Sequence, residues 1–288
     1  MKNIRLLMLL TVILIMTACS AKGQPEGEKG ERIIATTVAL MDTAAKLNIE
    51  LAGIPTTSKD IPLMYKDVPE IGAPKKPNME RLQSLNATDV LSVTTIKPEM
   101  DKAMKGSNIP TTFYDYNSIA AMQKSITAMG KDFNRQQEAA KLNKIYDDKI
   151  AAIHKRIAGQ KKPKVIILLG VPGSYLISTE KSFYGNLVEL AGGINVVKAN
   201  QSDEEFIASN TESLYKLQPD IILRASHGFP KQVKTMFDEE FKTNDVWKNF
   251  EATKAGRVYD LDENLFGITA NINADEALEE LYKLLYKE

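Results

Sequence analysis

Asn78-Met79-Glu80-Arg81-Leu82, followed by Leu85 and then Asp89-Val90-Leu91, is echoed by Asn210-Thr211-Glu212-Ser213-Leu214, followed by Leu217 and then Asp220-Ile221-Ile222-Leu223. In each copy Asn is a natural helix N-cap, and Glu stands in the first turn, where the helix dipole favours a carboxylate. The leucines make one buried face, and an apolar strand follows. One such match is within the reach of chance. The same order at equivalent places in two halves predicts two lobes related by a pseudo-twofold axis, with a cleft between them.

Outward from these anchors, strand and helix signals alternate. Residues 32–36 read as a strand entering, through Thr36-Thr37, a capped helix that begins Val38-Ala39-Leu40-Met41. Strands follow at 89–94 and 111–114. The second half repeats the pattern with a strand at 165–169, a turn at Gly170-Val171-Pro172-Gly173, an extended stretch at 175–178 and a helix near 184–190. Strands at 221–224 and 257–261 and an amphipathic helix at 274–286 complete it. The fold class is therefore α/β, with Rossmann-like lobes at 32–117 and 161–288 built on short parallel strands.

Between the lobes, residues 118–159 contain no proline, and Ile119, Met122, Ile126, Met129 and Phe133, then Leu142, Ile145, Ile150, Ile153 and Ile157, recur at helical spacing. The expectation is one interlobe helix over 118–160, roughly 60 Å long at 1.5 Å per residue. The apolar positions are not a strict heptad, which argues for a monomer rather than a coiled-coil dimer.

The chain opens with Lys2 and Arg5, an apolar stretch at 6–16 and small residues before Cys19, the order of a secretory signal. About eleven apolar residues fall short of the ~20 that span a bilayer. Residues 1–18 are read as a signal peptide and 19–31, rich in Gly, Lys, Glu and Pro, as a flexible tether. Cys19 is the only cysteine, so disulfides contribute nothing to the mature body. Lys plus Arg and Asp plus Glu both number 37, which removes the basic excess expected of a nucleic-acid binder. No Gly-x-Ser-x-Gly elbow is present, and two distant histidines do not make a multidentate metal-ion site, so the chain does not read as an enzyme.

Met16-Thr17-Ala18-Cys19 resembles the bacterial lipobox, although Met16 stands where that pattern prefers Leu. The resemblance implies cleavage before Cys19, a lipid carrying acyl chains such as palmitate on its sulfur, and residence at the extracellular face of the cell membrane. An exported, tethered, two-lobed α/β chain with a joining helix resembles the class III substrate-binding proteins of ABC transporters, which serve siderophores, cobalamin and haem. In that class the paired helix-start glutamates, here Glu80 and Glu212, dock on the permease.

The likeness narrows along Ala35-Thr36-Thr37-Val38-Ala39-Leu40, Tyr65-Lys66-Asp67-Val68-Pro69-Glu70-Ile71-Gly72, Gly170-Val171-Pro172-Gly173-Ser174-Tyr175-Leu176, Ser209-Asn210-Thr211-Glu212 and Asp220-Ile221-Ile222-Leu223-Arg224 with His227-Gly228. Together these are similar to the haem-binding lipoproteins of the iron-regulated surface determinant system of Gram-positive bacteria. The resemblance runs from about residue 32 to the C-terminus. It implies haem b as bound cargo, an upstream haem-carrier surface protein as donor, and delivery to an ABC permease driven by its ATPase. A siderophore or corrinoid on the same scaffold is the alternative.

Haem iron takes an axial donor such as neutral imidazole. Of the two histidines, His154 lies among Lys155, Arg156 and Lys144 on a helix and reads as solvent-exposed, whereas His227 follows a strand end in Ala225-Ser226-His227-Gly228-Phe229-Pro230. Ligands of open α/β sheets bind beyond the carboxyl ends of strands. The resemblance places His227 at the family's axial histidine. The family's second ligand is a methionine, but Lys75 occupies that position. Three arrangements are open: Met79 supplies a thioether, Lys75 coordinates as a neutral amine, or His227 acts alone. A pairing of Lys75 with a haem propionate stands beside these. The resemblance further implies Val38 and Ala39 at a helix N-terminus and Thr57 and Ser58 in a loop as pocket residues. Tyr175 is either a ring offered to the macrocycle or a core tyrosine.

Overall fold

The computed structural model describes residues 30–200, 204–208 and 210–286. The expected signal peptide, Cys19 and the tether as far as residue 29 lie outside the described residues. The N-terminal lobe comprises β1 (Ile33–Ala35), α1 (Val38–Lys46), a small hairpin of β2 (Gly72–Ala73) and β3 (Lys76–Pro77), α2 (Met79–Ser84), β4 (Asp89–Val93), α3 (Lys97–Ala103) and β5 (Thr111–Tyr114). β1, β4 and β5 pair in that order, all parallel.

Two helices follow, α4 (Ile119–Asp132) and α5 (Gln136–Arg156). The segment expected as one helix over 118–160 is therefore divided at residues 133–135. Asn134 takes a left-handed conformation, φ 55°, and the Arg135 amide donates to the Gly130 carbonyl while the Asn134 amide donates to Lys131. This is a Schellman C-cap, which Asn tolerates because its short polar side chain visits the left-handed region at low cost. α5 then folds back antiparallel along α4. The Asn143 side-chain amide donates to the Gln123 carbonyl and the Gln123 amide to the Asn143 carbonyl. Gly130 permits the close approach, since a Cβ there would fall 2.5 Å from that of Ala139. The 21-residue α5 is the helix that bridges the lobes, about 30 Å long.

The C-terminal lobe contains β6 (Lys164–Val171), β7 (Ser174–Ser178), α6 (Phe183–Leu190), β8 (Ile194–Asn195), β9 (Phe206–Ala208), α7 (Thr211–Tyr215), β10 (Ile221–Ser226), α8 (Pro230–Thr243), α9 (Asp245–Lys248), α10 (Glu251–Lys254), β11 (Val258–Asp260) and α11 (Ala274–Tyr286). Its sheet runs β11-β10-β6-β7-β9, with β8 beside β6. β11, β10 and β6 are parallel, β7 runs antiparallel between β6 and β9, and β9 therefore points the same way as β6, so this sheet is mixed through β7 alone. The turn expected over residues 170–173 shrinks to Pro172-Gly173, because β6 pairs with β7 as far as Val171 and Ser174. Gly173, at φ 87°, supplies the positive φ that a Pro-Gly turn needs at its third residue.

β6 is buried on both faces. Val165, Ile167 and Leu169 join a core continuous with the linking helices and the N-terminal lobe, while Ile166 and Leu168 face a second, aromatic core with Phe237, Trp247 and Phe250. That is why it reads as an unbroken apolar run rather than an alternating one. The bridging helix is fastened to the C-terminal lobe by ion pairs. Arg156 donates from Nη1 and Nη2 to both Glu279 oxygens at 2.8 and 2.7 Å, Lys149 adds a third bond at 3.0 Å, and the Arg156 guanidinium lies 4.0 Å over the Tyr282 ring.

The Arg156 hydrogen bonds, assisted by Lys149 and opposed by burial, hold the Glu279 carboxyl at about 2. A depressed carboxylate stabilises the fold above its unfolded value and loses that contribution as pH falls through its folded value. Glu279→Gln is expected to lower unfolding stability at pH 7 by about 1–3 kcal/mol. The deficit should shrink towards pH 2, as read by urea denaturation across pH.

Candidate binding cleft

Parallel strands deliver all their carboxyl ends to one edge, and here the two lobes bring such edges together. The loop at residues 55–62 leaves the carboxyl end of Gly53-Ile54, a segment bridged in parallel to Ile34 of β1 and to Glu70. Glu263 follows the carboxyl end of β11. The two meet where Lys59 Nζ donates to the Glu263 carbonyl at 3.2 Å. Behind this contact the lobes are joined by the Ala270 amide donating to the Tyr116 carbonyl at 2.8 Å and the Ile119 amide donating to Asn186 Oδ1 at 3.0 Å.

His227 lies one residue past β10 and is exposed. Its backbone amide donates to the Gly170 carbonyl at 2.9 Å, extending the β10–β6 register, while nothing among the described residues hydrogen-bonds its ring. Gly228 and Phe229 both take left-handed conformations, φ 72° and 50°, and Phe229 is 66% exposed. α8 begins at once with Pro230. His154 is also exposed, in the last turn of the bridging helix.

On the N-terminal side, Thr37 caps α1 by accepting from the Leu40 amide. The first two helical amides, those of Val38 and Ala39, are left without an intrahelical partner, which suits them to a carboxylate oxygen. Thr57 Oγ1 accepts from the Lys59 amide and finds no acceptor for its own proton among the described residues, and Ser58 is exposed beside it. The Thr56 amide donates to the Gly72 carbonyl, which sets this loop against the β2–β3 hairpin. Lys75 sits at that hairpin's tip, its Nζ 3.3 Å from Glu99 Oε1. The Glu99 carboxyl is held below the usual range by hydrogen bonds from its own backbone amide and from Lys75.

Met79 occupies the first turn of α2, partly buried against the main core. Tyr175 is the core tyrosine. Its ring packs on Phe237 and Trp247 at centroid distances of 5.6 and 6.5 Å, and its hydroxyl meets Glu240. The structure thus takes it into the outer aromatic cluster rather than offering it to the cleft, because β7 alternation sends Tyr175 and Ile177 to that face. Glu80 and Glu212 are exposed in the first turns of α2 and α7, each capped by its Asn, Asn78 to the Arg81 amide and Asn210 to the Ser213 amide.

Among the described residues no three His, Cys, Asp or Glu side chains converge on a common point. The exposed imidazole of His227 stands at the carboxyl-end edge of the C-terminal sheet, while the α1 amides, the Thr57 and Ser58 hydroxyls and the hairpin carrying Lys75 belong to the N-terminal lobe.

Comparison with known proteins agrees with this architecture. The sequence profile of the periplasmic binding protein family matches residues 33–265. The chain belongs to that family. It is 50% identical over its whole length, and over 99% of the relative, to the high-affinity heme uptake system protein IsdE of Staphylococcus aureus. The crystal structure of S. aureus IsdE complexed with heme superposes with a TM-score of 0.84 at 51% identity, over 89% of this chain and 99% of that one. An ABC transporter substrate-binding protein from Listeria monocytogenes EGD-e gives 0.84 at 50% identity, over 90% and 100%. The family binds and transports substrates and is not one of enzymes.

In this member of the family, sequence reasoning missed Lys59. Its partner is a backbone carbonyl 204 residues away, and no side-chain pattern announces such a contact. It also missed Asp42 on α1, for which no side-chain hydrogen-bond partner is found among the described residues. Burial pushes the Asp42 carboxyl up to about 6 against the pull of Lys59 and Lys46. A carboxyl raised in the folded state favours folding at low pH and loses that contribution as pH rises from its unfolded value through about 6. Asp42→Asn should therefore stabilise the protein by about 1–3 kcal/mol above pH 7 and by much less at pH 4, as urea titrations at the two pH values would show.

Proposed function

We propose that this chain is a lipid-anchored haem-binding protein that captures haem between its lobes and hands it to an ABC permease for iron acquisition. The observation that carries the reading is the exposed imidazole of His227 at the carboxyl end of β10, in a chain 50% identical throughout to a high-affinity heme uptake protein. His227 donates an axial lone pair to the iron. The Val38 and Ala39 amides and the Thr57 and Ser58 hydroxyls receive the propionates, whose charge suits a helix N-terminus.

Lys75 Nζ is directed at Glu99, 3.3 Å away, an engagement it would have to give up to reach iron. The core packing of Met79 likewise disfavours a thioether ligand. His227 is then the only protein ligand to the iron, and the sixth position is left to water or another exogenous donor. Cys19 carries the lipid at the extracellular face of the membrane. Glu80 and Glu212, on equivalent capped helices, dock on the permease, whose ATPase drives import of haem received from a surface carrier.

Titration with haemin should give a Soret band with a mostly high-spin magnetic circular dichroism spectrum. His227→Ala should weaken haemin affinity by more than the roughly 10–100-fold that loss of an outer-shell partner costs. Lys75→Met is expected to convert the spectrum to a six-coordinate, low-spin form with a sulfur-to-iron charge-transfer band. A wild type already low-spin would contradict single-ligand coordination, and an unchanged His227→Ala complex would contradict the axial assignment. Reversing both Glu80 and Glu212 to Lys should abolish haem-dependent growth with haemin affinity intact. Loss of affinity would instead make them cleft residues.

A further inference from the structure

The loop carrying His227 is three residues long and joins β10 to α8. Both Gly228 and Phe229 within it are left-handed, an arrangement that costs a phenylalanine about 1–2 kcal/mol and persists only where the flanking elements fix it. One fixing contact is at Gly170 of β6. Its carbonyl accepts from the His227 amide, and its missing side chain makes room for α8, since a Cβ there would fall 2.4 Å from Val233 and 2.7 Å from Phe237.

The other is Arg224, on β10 three residues before His227 and only 8% exposed. Its Nε and Nη2 donate to the two oxygens of Asp260, just at the end of β11, at 2.6 and 2.7 Å. Nη2 also donates to Asp238 of α8 at 2.8 Å. Lys234, one turn before Asp238, closes the ring by donating to Asp260 at 2.8 Å and to Asp238 at 3.1 Å. The guanidinium rests 5.5 Å from the Phe237 ring centre and 5.3 Å from that of Phe241. Two cations and two anions thus tie the strand before the loop to the helix after it. A cavity of about 190 Å3 lies beside this ring, lined by Arg224, Lys234 and Asp260 together with Ser226 and Pro230 from either side of the loop.

We propose that Arg224 is a positioning residue for the axial histidine: by gripping Asp260 and Asp238 it locks β10 against α8 and so fixes the loop that aims His227 into the cleft. This rests on the reading of His227 as the iron ligand. Guanidinium is suited to the task because its planar fork serves two carboxylates at once, which an ammonium does with less directional control.

The test uses the purified protein with Arg224→Gln, Arg224→Lys, Asp238→Asn and His227→Ala, each loaded with haemin. Three readouts are compared: melting temperature, magnetic circular dichroism, and the rate of haemin transfer to an excess of apomyoglobin. Folded Arg224→Gln and Asp238→Asn are expected to take up haemin but release it about 10–100-fold faster, with a weakened histidine–iron signature, as for loss of an outer-shell partner. Arg224→Lys should recover part of the loss. An unchanged spectrum and release rate in folded Arg224→Gln would overturn the proposal. Where that variant fails to fold, the same result in Asp238→Asn, which keeps the Arg224–Asp260 pair, overturns it equally. A His227→Ala spectrum identical to wild type would instead bring down the axial assignment and this proposal with it, whereas an altered His227→Ala beside unaltered Arg224 and Asp238 variants removes the positioning role alone.

Discussion

Two adjacent parallel strands cannot be joined by a tight turn, because the chain must travel back the length of the strand before it pairs again. Every parallel strand therefore empties into a loop at the same edge of its sheet. In the N-terminal lobe that edge carries Thr36-Thr37 after β1, with the free amides of α1 behind it. In the C-terminal lobe it carries Val171, His227 and Leu261. The cleft is the consequence of setting two such edges face to face, and its chemistry is what those loops bear. Only β7, antiparallel to both its neighbours, lies outside this rule, and the one ring expected from it belongs to the outer aromatic core.

Holding the edges opposed requires a member that resists bending. α5 does this in a single span, packed along α4 and locked to α11 through Arg156, Lys149 and Glu279. The main core runs without a break from the N-terminal sheet through both helices to the inner face of the C-terminal sheet. Any lobe motion must work against that packing, which favours small displacements over a wide hinge.

The site was legible in unequal parts. The twin Asn caps with their glutamates could be read from spacing, because capping is a local interaction between residues three apart. His227 stood out because it follows a strand end and only two histidines exist. The break at Asn134 was in principle legible too, as an Asn at the end of a periodic stretch, but apolar periodicity on both sides masked it. Tyr175 was ambiguous because alternation in a strand gives two faces and not which face meets the cleft. The Lys75–Glu99 pair and the Arg224 ring join residues 24, 14 and 36 positions apart, through elements whose approach no local pattern records.

The sequence alone determined the two α/β lobes, the capped helices, the strand ends and the residue types at them, since each rests on short-range hydrogen bonding and on the period of apolar burial. Only the tertiary structure decided how the linking segment doubles back, that Lys75 is engaged by a carboxylate, and that a buried arginine ties together the two elements flanking His227. Those outcomes depend on which helix comes to rest against which strand. That is a property of packing the whole chain, and no stretch of it carries the information by itself.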